Sequence, residues 1–166
     1  MAIFGAEEAG VAYDKQHDDF NKIMIAALAD RLAEAFAEKL HLDMRKKHWG
    51  FTPDEQLSLS QLLQTGHQGI RPAPGYPSQP DHTEKLTMWK VLDVEAKTGI
   101  KLTDSLAMWP AAAVSALVIA HPDSQYFALG AVDQEQVKSY AGRKSMSVSE
   151  VERWLAPVLS YEAAGR

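Results

Sequence analysis

A chain of 166 residues, 46% hydrophobic and 23% charged, fits one domain and can bury a core. Its formal net charge of -5 excludes a general nucleic-acid binder, which carries a basic excess. With no cysteine it has no disulfide, thiolate nucleophile or cysteine metal site. The opening residues Met1 to Glu8 lack a cationic stretch leading into a long apolar one, so no secretory signal is expected. The longest apolar run, Ala111 to Ala120 with Ser115 inside it, is too short to span a bilayer. A cytoplasmic protein with no membrane partner is the expectation.

The first predicted element is a long helix. Phe20, Ile23, Met24, Ala27, Leu28, Leu32, Ala35, Phe36, Leu40 and Met44 recur at steps of three and four, which places them on one face. Asp18 or Asp19 caps its start, and Trp49-Gly50 with Pro53 mark its end. Asp30, Glu34 and Glu38 follow one another at steps of four and form an acidic line, which by itself reads as a solvated face. A short helix is expected through Leu63, with Thr52 as cap and Pro53 at its first position.

Gly69-Ile70-Arg71-Pro72-Ala73-Pro74-Gly75-Tyr76-Pro77 cannot be helical and makes a poor central strand. Such a rigid segment either connects elements or presents Arg71 and Tyr76 to a ligand. A guanidinium matches the two oxygens of a carboxylate or phosphate, and a phenol offers an apolar face with a polar tip. Asp81-His82-Thr83-Glu84-Lys85 then opens a second long helix, with Leu86, Trp89, Leu92 and Val94 inward and Gly99 closing it. Val114–Ala120 and Tyr126–Val132 are predicted to pair as a hairpin through the turn His121-Pro122-Asp123-Ser124. Asp133 caps a helix to about Tyr140, and Ser147-Val148-Ser149-Glu150 is a capping box for a last helix holding Val151, Trp154 and Leu155. With no repeat or linker, the expected fold is α+β, a single compact unit of long helices on an antiparallel sheet.

Several segments carry a resemblance in order along the chain: His17-Asp18-Asp19, Ala29 through Ala35, Gly69 through Pro77, and His82-Thr83-Glu84-Lys85. Ala107-Met108-Trp109-Pro110, His121 through Ser124, and Ser147 through Pro157 extend it. Together they resemble the C-terminal half of the S-adenosylmethionine-binding activation domain of cobalamin-dependent methionine synthase. Residues 1–166 would then be a partial activation domain whose N-terminal half has no counterpart here. An aspartate of that half contacts the ligand in the family, and no residue of this chain corresponds to it. Where the family often has two tyrosines, this chain has Tyr126-Phe127.

The resemblance implies a module that binds S-adenosylmethionine and supports reductive methylation of cob(II)alamin, as part of a cobalamin-dependent methyltransferase. Its cofactor-binding residues would be Arg71, Ala73, Tyr76, Glu34, Tyr126 and Phe127, with no metal ligand and no covalent catalyst. Arg71 would take the ligand carboxylate and Glu34 the ammonium or sulfonium. Tyr76 would sit over the corrin, and Asp30 would contact the cobalamin-binding module, which carries the cobalamin. Flavodoxin or another one-electron donor is the implied redox partner, with Arg45-Lys46-Lys47-His48 as a candidate docking patch; a basic helix end explains that run equally well. His82 and Glu84 have either a capping or a ligand role. A different reading makes the chain a non-catalytic half-domain that pairs with a chain supplying the other half and has no ligand affinity alone. A metal hydrolase built on His17, Asp18, Asp19, His82 and His121 is disfavoured, because their spacing matches no compact ligand pattern.

Overall fold

The structure, a computed structural model, describes residues 1–163. Helix α1 spans Ala6–Asp14 and α2 spans Asp19–Asp43, the latter continuing into a π-helical turn at Met44–His48. Asp18 caps α2 by accepting a hydrogen bond from the Asn21 amide at 3.1 Å. The line of α2 that is buried is Ala29, Ala33, Ala37 and His41. The large apolar residues at the predicted spacing lie outside it: Phe20, Ile23, Met24, Leu28, Leu32 and Phe36 are all exposed. Small side chains let α2 approach the rest of the chain closely, and their line, a quarter-turn away, outcompetes the bulkier stripe for this seat.

Helix α3, Leu59–Leu63, starts later than expected. Ser58 and Gln61 form its reciprocal capping box. Thr52 is not a cap; its hydroxyl turns to the Glu55 carboxylate at 3.3 Å. The predicted second long helix is two: α4, Glu84–Leu92, and α5, Val94–Thr98. Asp93 adopts φ 51° between them, a left-handed conformation that interrupts the helical ladder. Trp89 donates to the Ile100 carbonyl at 3.0 Å, whereas Leu86 and Leu92, expected inward, are exposed.

Strands β1, Lys101–Leu102, and β2, Met108–Trp109, pair antiparallel with Lys101 opposite Trp109. The predicted hairpin does not form. The Val114 amide donates to the Met1 carbonyl, the Leu117 amide to Pro72 and the Ile119 amide to Ile70, so that segment is already engaged. Leu129 instead donates to the Pro77 carbonyl at 2.9 Å, and Val132 pairs in parallel with Leu159.

Helix α6, Gln134–Lys144, has Asp133 and Gln136 as its capping box, and α7, Val148–Leu155, is capped by Ser147. Their facing sides enclose Val137, Ala141, Val151 and Leu155, joined by Val132. Full burial of an aliphatic side chain such as Val137 contributes about 1.5–3 kcal/mol, which makes this pair the apolar anchor of the C-terminal region. Among the described residues, no helix is long and apolar enough to cross a membrane.

Candidate ligand site

The outward side of α2, the Pro/Gly segment and residues 114–126 converge on a cleft of about 480 Å³. Its walls include Glu34, Arg71, Ala73, Tyr76 and Tyr126, five side chains from three separated parts of the chain. Arg31, Ala35, Ala37, Glu38, Leu63, Val114 and Ala116 complete it, and none of these follows from the sequence as a ligand residue. Glu38 alone left a trace there, as the last member of the acidic line. Phe127 is not part of the wall and is exposed, and Asp30 lies on the solvent side of α2, one turn before Glu34.

The Pro/Gly segment is held in place at several points. Ile70 and Ile119 exchange two hydrogen bonds of 3.0 Å, and the Pro72 carbonyl accepts from Leu117 at 2.9 Å. The Tyr126 hydroxyl accepts from the Arg71 amide at 2.7 Å, so this phenol buttresses the loop as well as facing the cleft. Gly75, at φ 99°, donates to the Gln79 carbonyl at 2.7 Å and lies against the His82 ring, where a β-carbon would come within 2.4 Å. His82 therefore supports the turn that carries Tyr76. Its neighbour Asp81 is a hub: it accepts from the Thr83 amide and hydroxyl at 2.7 Å and from the Tyr140 hydroxyl at 2.6 Å. Glu84 takes an ion pair with Lys144.

Electrostatically the cleft is mixed. The Arg71 guanidinium bonds the Glu38 carboxylate through Nη2 and the Ala37 carbonyl through Nη1 at 3.3 Å. Arg31 pairs with Glu34 at 2.9 Å. Beneath, His41 is fully buried and its ring meets that of His67 edge-on, with centroids 4.9 Å apart. Burial, followed by the nearby charges of Arg45 and Arg71, pushes His41 down to about 4. The folded state thus resists protonation of His41 while the unfolded chain accepts it near the ordinary histidine value. The neutral form's contribution is complete well above pH 6.5, begins to fall near that value and is lost as pH falls toward 4. The free energy of unfolding should drop by about 1.5 kcal/mol from this residue alone between pH 6.5 and pH 5. Denaturant titrations of the parent and His41→Gln across that range check it, since the variant should show a shallower dependence.

The basic run at the end of α2 is not an open patch. Arg45 is buried and forms a two-pronged pair with Glu55, Nε to Oε2 and Nη2 to Oε1, both at 2.8 Å. Lys46 donates to the Glu55 carbonyl at 2.7 Å and Lys47 pairs with Asp43 at 3.1 Å. Local acceptors thus take up Arg45, Lys46 and Lys47, and a docking role for the run as a unit is not supported.

A preset loop carrying one arginine, set against an acidic helix face and flanked by tyrosines, defines a cleft for a small ligand with both charge signs. The family model for the activation domain of vitamin B12 dependent methionine synthase matches residues 1–145, and the chain belongs to that family. Among solved structures, the MetH reactivation domain bound to AdoHcy is similar, with 57% identity and a TM-score of 0.91 over 95% of this chain. This chain covers 48% of that one, about half its length. The α+β class expected from the sequence matches the part of that domain which this chain covers, with a smaller antiparallel sheet than expected.

Proposed function

We propose that this chain binds S-adenosylmethionine in the cleft between α2 and the Pro/Gly segment and acts as the reactivation module of a cobalamin-dependent methionine synthase. The observation that carries this reading is the convergence of Glu34, Arg71, Ala73, Tyr76 and Tyr126 on one cleft, in a chain 57% identical to a domain that holds AdoHcy. The residues fit the ligand's chemistry. A guanidinium suits its carboxylate, a glutamate its ammonium or sulfonium, and tyrosine faces its apolar parts. Phe127 stands outside the cleft wall and is exposed, and Asp30 is at the surface, where a cobalamin-binding module would meet it.

Cobalamin, carried by the partner module, supplies the methyl-accepting cobalt, and an external donor such as flavodoxin supplies the electron. This chain's own residues bind the methyl donor, orient its sulfonium and hold the Tyr76 turn toward the incoming corrin. Positioning of this kind replaces an encounter between two diffusing partners with a single preset geometry.

Calorimetric titration of S-adenosylmethionine into the chain tests the assignment. Arg71→Ala should weaken binding by about 1.5–3 kcal/mol, the scale of hydrogen bonds to a charged group. Unchanged affinity would remove Arg71 from the site. Tyr76→Phe should leave ligand affinity within twofold, about 0.4 kcal/mol, yet slow methyl transfer once the cobalamin module is present. Loss of ligand binding in Tyr76→Phe would contradict this division of labour.

The exposed stripe of α2 favours a second reading for the isolated chain. Phe20, Ile23, Leu28, Leu32 and Phe36 form an apolar face that a further polypeptide of the same domain would cover, and the AdoHcy-bound relative has a second half to supply it. On this reading ligand affinity arises only after that polypeptide is added. Binding by the chain alone at full strength would dismiss it.

A further inference from the structure

We infer that Glu38 is a built-in competitor for the ligand's carboxylate: it occupies the Arg71 fork in the empty cleft and must swing away for the ligand to bind. This rests on the cleft being the S-adenosylmethionine site and adds a residue that sets which ligands it accepts.

The geometry leads to this in three steps. Arg71 has little freedom, because its backbone amide is tied to Tyr126 and its side chain is mostly buried, 18% exposed. The Nη1 and Nη2 edge of its guanidinium is taken by the Ala37 carbonyl and the Glu38 carboxylate. A carboxylate arriving for two-pronged capture on that edge meets Glu38 already there. Glu38, at 49% exposure, is the mobile partner and has open solvent to enter. Burial alone would raise the Glu38 carboxyl, yet the hydrogen bond and charge of Arg71 outweigh this and hold it below the ordinary glutamate value. The pair is therefore formed and ionised at neutral pH.

Arg31 stands to Glu34 as Glu38 stands to Arg71. Helix α2 thus places one cation and one anion where the two charges of an amino-acid moiety would go. Exchange of these internal partners lets a zwitterion enter without stranding the mostly buried Arg71, while the displaced Glu38 and Arg31 side chains pass into water. A ligand lacking the carboxylate cannot displace Glu38 and gains nothing from its removal.

The test compares S-adenosylhomocysteine with 5′-methylthioadenosine, which has the same nucleoside and sulfur but no amino-acid group. Both are titrated calorimetrically into the parent, Glu38→Gln and Arg71→Ala, with or without the other half of the domain, whichever assembly binds. Glu38→Gln should tighten S-adenosylhomocysteine about three- to fivefold, the scale of one partly screened ion pair, and leave methylthioadenosine unchanged. Weaker binding of S-adenosylhomocysteine in Glu38→Gln, or equal changes for both ligands, overturns the competition. Carbon NMR of the Glu38 carboxyl in the unaltered protein gives an independent readout. Its titration midpoint should rise toward the ordinary glutamate value on saturation with S-adenosylhomocysteine, and a midpoint that stays low also overturns it. If neither ligand binds the parent, or Arg71→Ala binds as the parent does, the site assignment itself falls. If Arg71→Ala loses affinity while Glu38→Gln is silent, only the role of Glu38 falls.

Discussion

Replacing Glu55 by alanine should lower the free energy of unfolding by about 3–5 kcal/mol, the largest single-residue effect expected in this chain. The reason lies with the partner left behind. Arg45 is fully buried, and Glu55 satisfies two of its nitrogens at 2.8 Å. Without the carboxylate, a guanidinium remains in a site with no counter-charge beside it, and the local turn loses the Thr52 contact as well. The Arg45 hydrogen bond is also the leading reason the Glu55 carboxyl sits below its ordinary value, with burial opposing it. A depressed carboxylate stabilises the fold above its unfolded-state value and ceases to do so as pH falls through the folded one. The loss in Glu55→Ala should therefore be full at pH 7 and shrink in acid. Chemical denaturation of the single variant, and of a double variant with Arg45→Met, checks this. The double variant should recover part of the loss, because apolar replacement of both partners removes the stranded charge. A loss below about 1 kcal/mol in the single variant would mean that Arg45 finds another partner or reaches water.

Gly69→Ala should destabilise the chain by about 3 kcal/mol and, in what remains folded, weaken the ligand site. Two effects combine. Gly69 sits at φ 84°, where a side chain costs about 1–2 kcal/mol. Its β-carbon would also fall 2.6 Å from the Ile119 carbonyl oxygen, which is backbone and cannot turn aside. That oxygen accepts from the Ile70 amide next door, so relieving the clash opens the bridge that positions Arg71. Gly130→Ala separates the two effects, because Gly130 has a similar φ of 73° with no atom near its missing β-carbon. If both variants lose the same stability, the close approach at Gly69 has no energetic weight. If only Gly69→Ala also loses affinity, the Ile70–Ile119 bridge is what sets the loop.

Features with local causes were legible in the sequence. Asp18, Asp133 and Ser147 cap helices because a side-chain oxygen two or three residues from an unsatisfied amide needs nothing else to act. What required knowledge of neighbours was not legible. The three-four repeat of large apolar residues on α2 is real, but Ala29, Ala33 and Ala37 make the buried seam, because close approach there favours small side chains. Helix α1 carries no clear signal in the sequence: it is short, contains Gly10 and starts at Gly5 without a side-chain cap. Residues 114–120 look like half of a hairpin until Met1 and the Pro/Gly segment are seen to hold their amides. Within the cleft, Arg71 and Tyr76 announce themselves through the rigidity around them, whereas Glu34, Ala73 and Tyr126 stand out only through the family resemblance. Glu38 was hidden because its partner lies 33 positions away, and an acidic line on a helix looks the same whether it faces water or a guanidinium.

Helix α2 contains neither glycine nor proline, and it carries Asp30, Glu34 and Glu38 at successive steps of four. Each step advances about 6 Å along the axis, so Asp30 stands about 12 Å from Glu38 on one unbroken rod. That rod is a ruler. Any surface that meets Asp30 is thereby registered against the cleft, with no joint between them to take up error. Side-chain changes along the rod alter how tightly things bind but leave the spacing alone. One residue inserted between Asp30 and Glu34 would turn the earlier position by about 100° and move it off its mark without removing any charge.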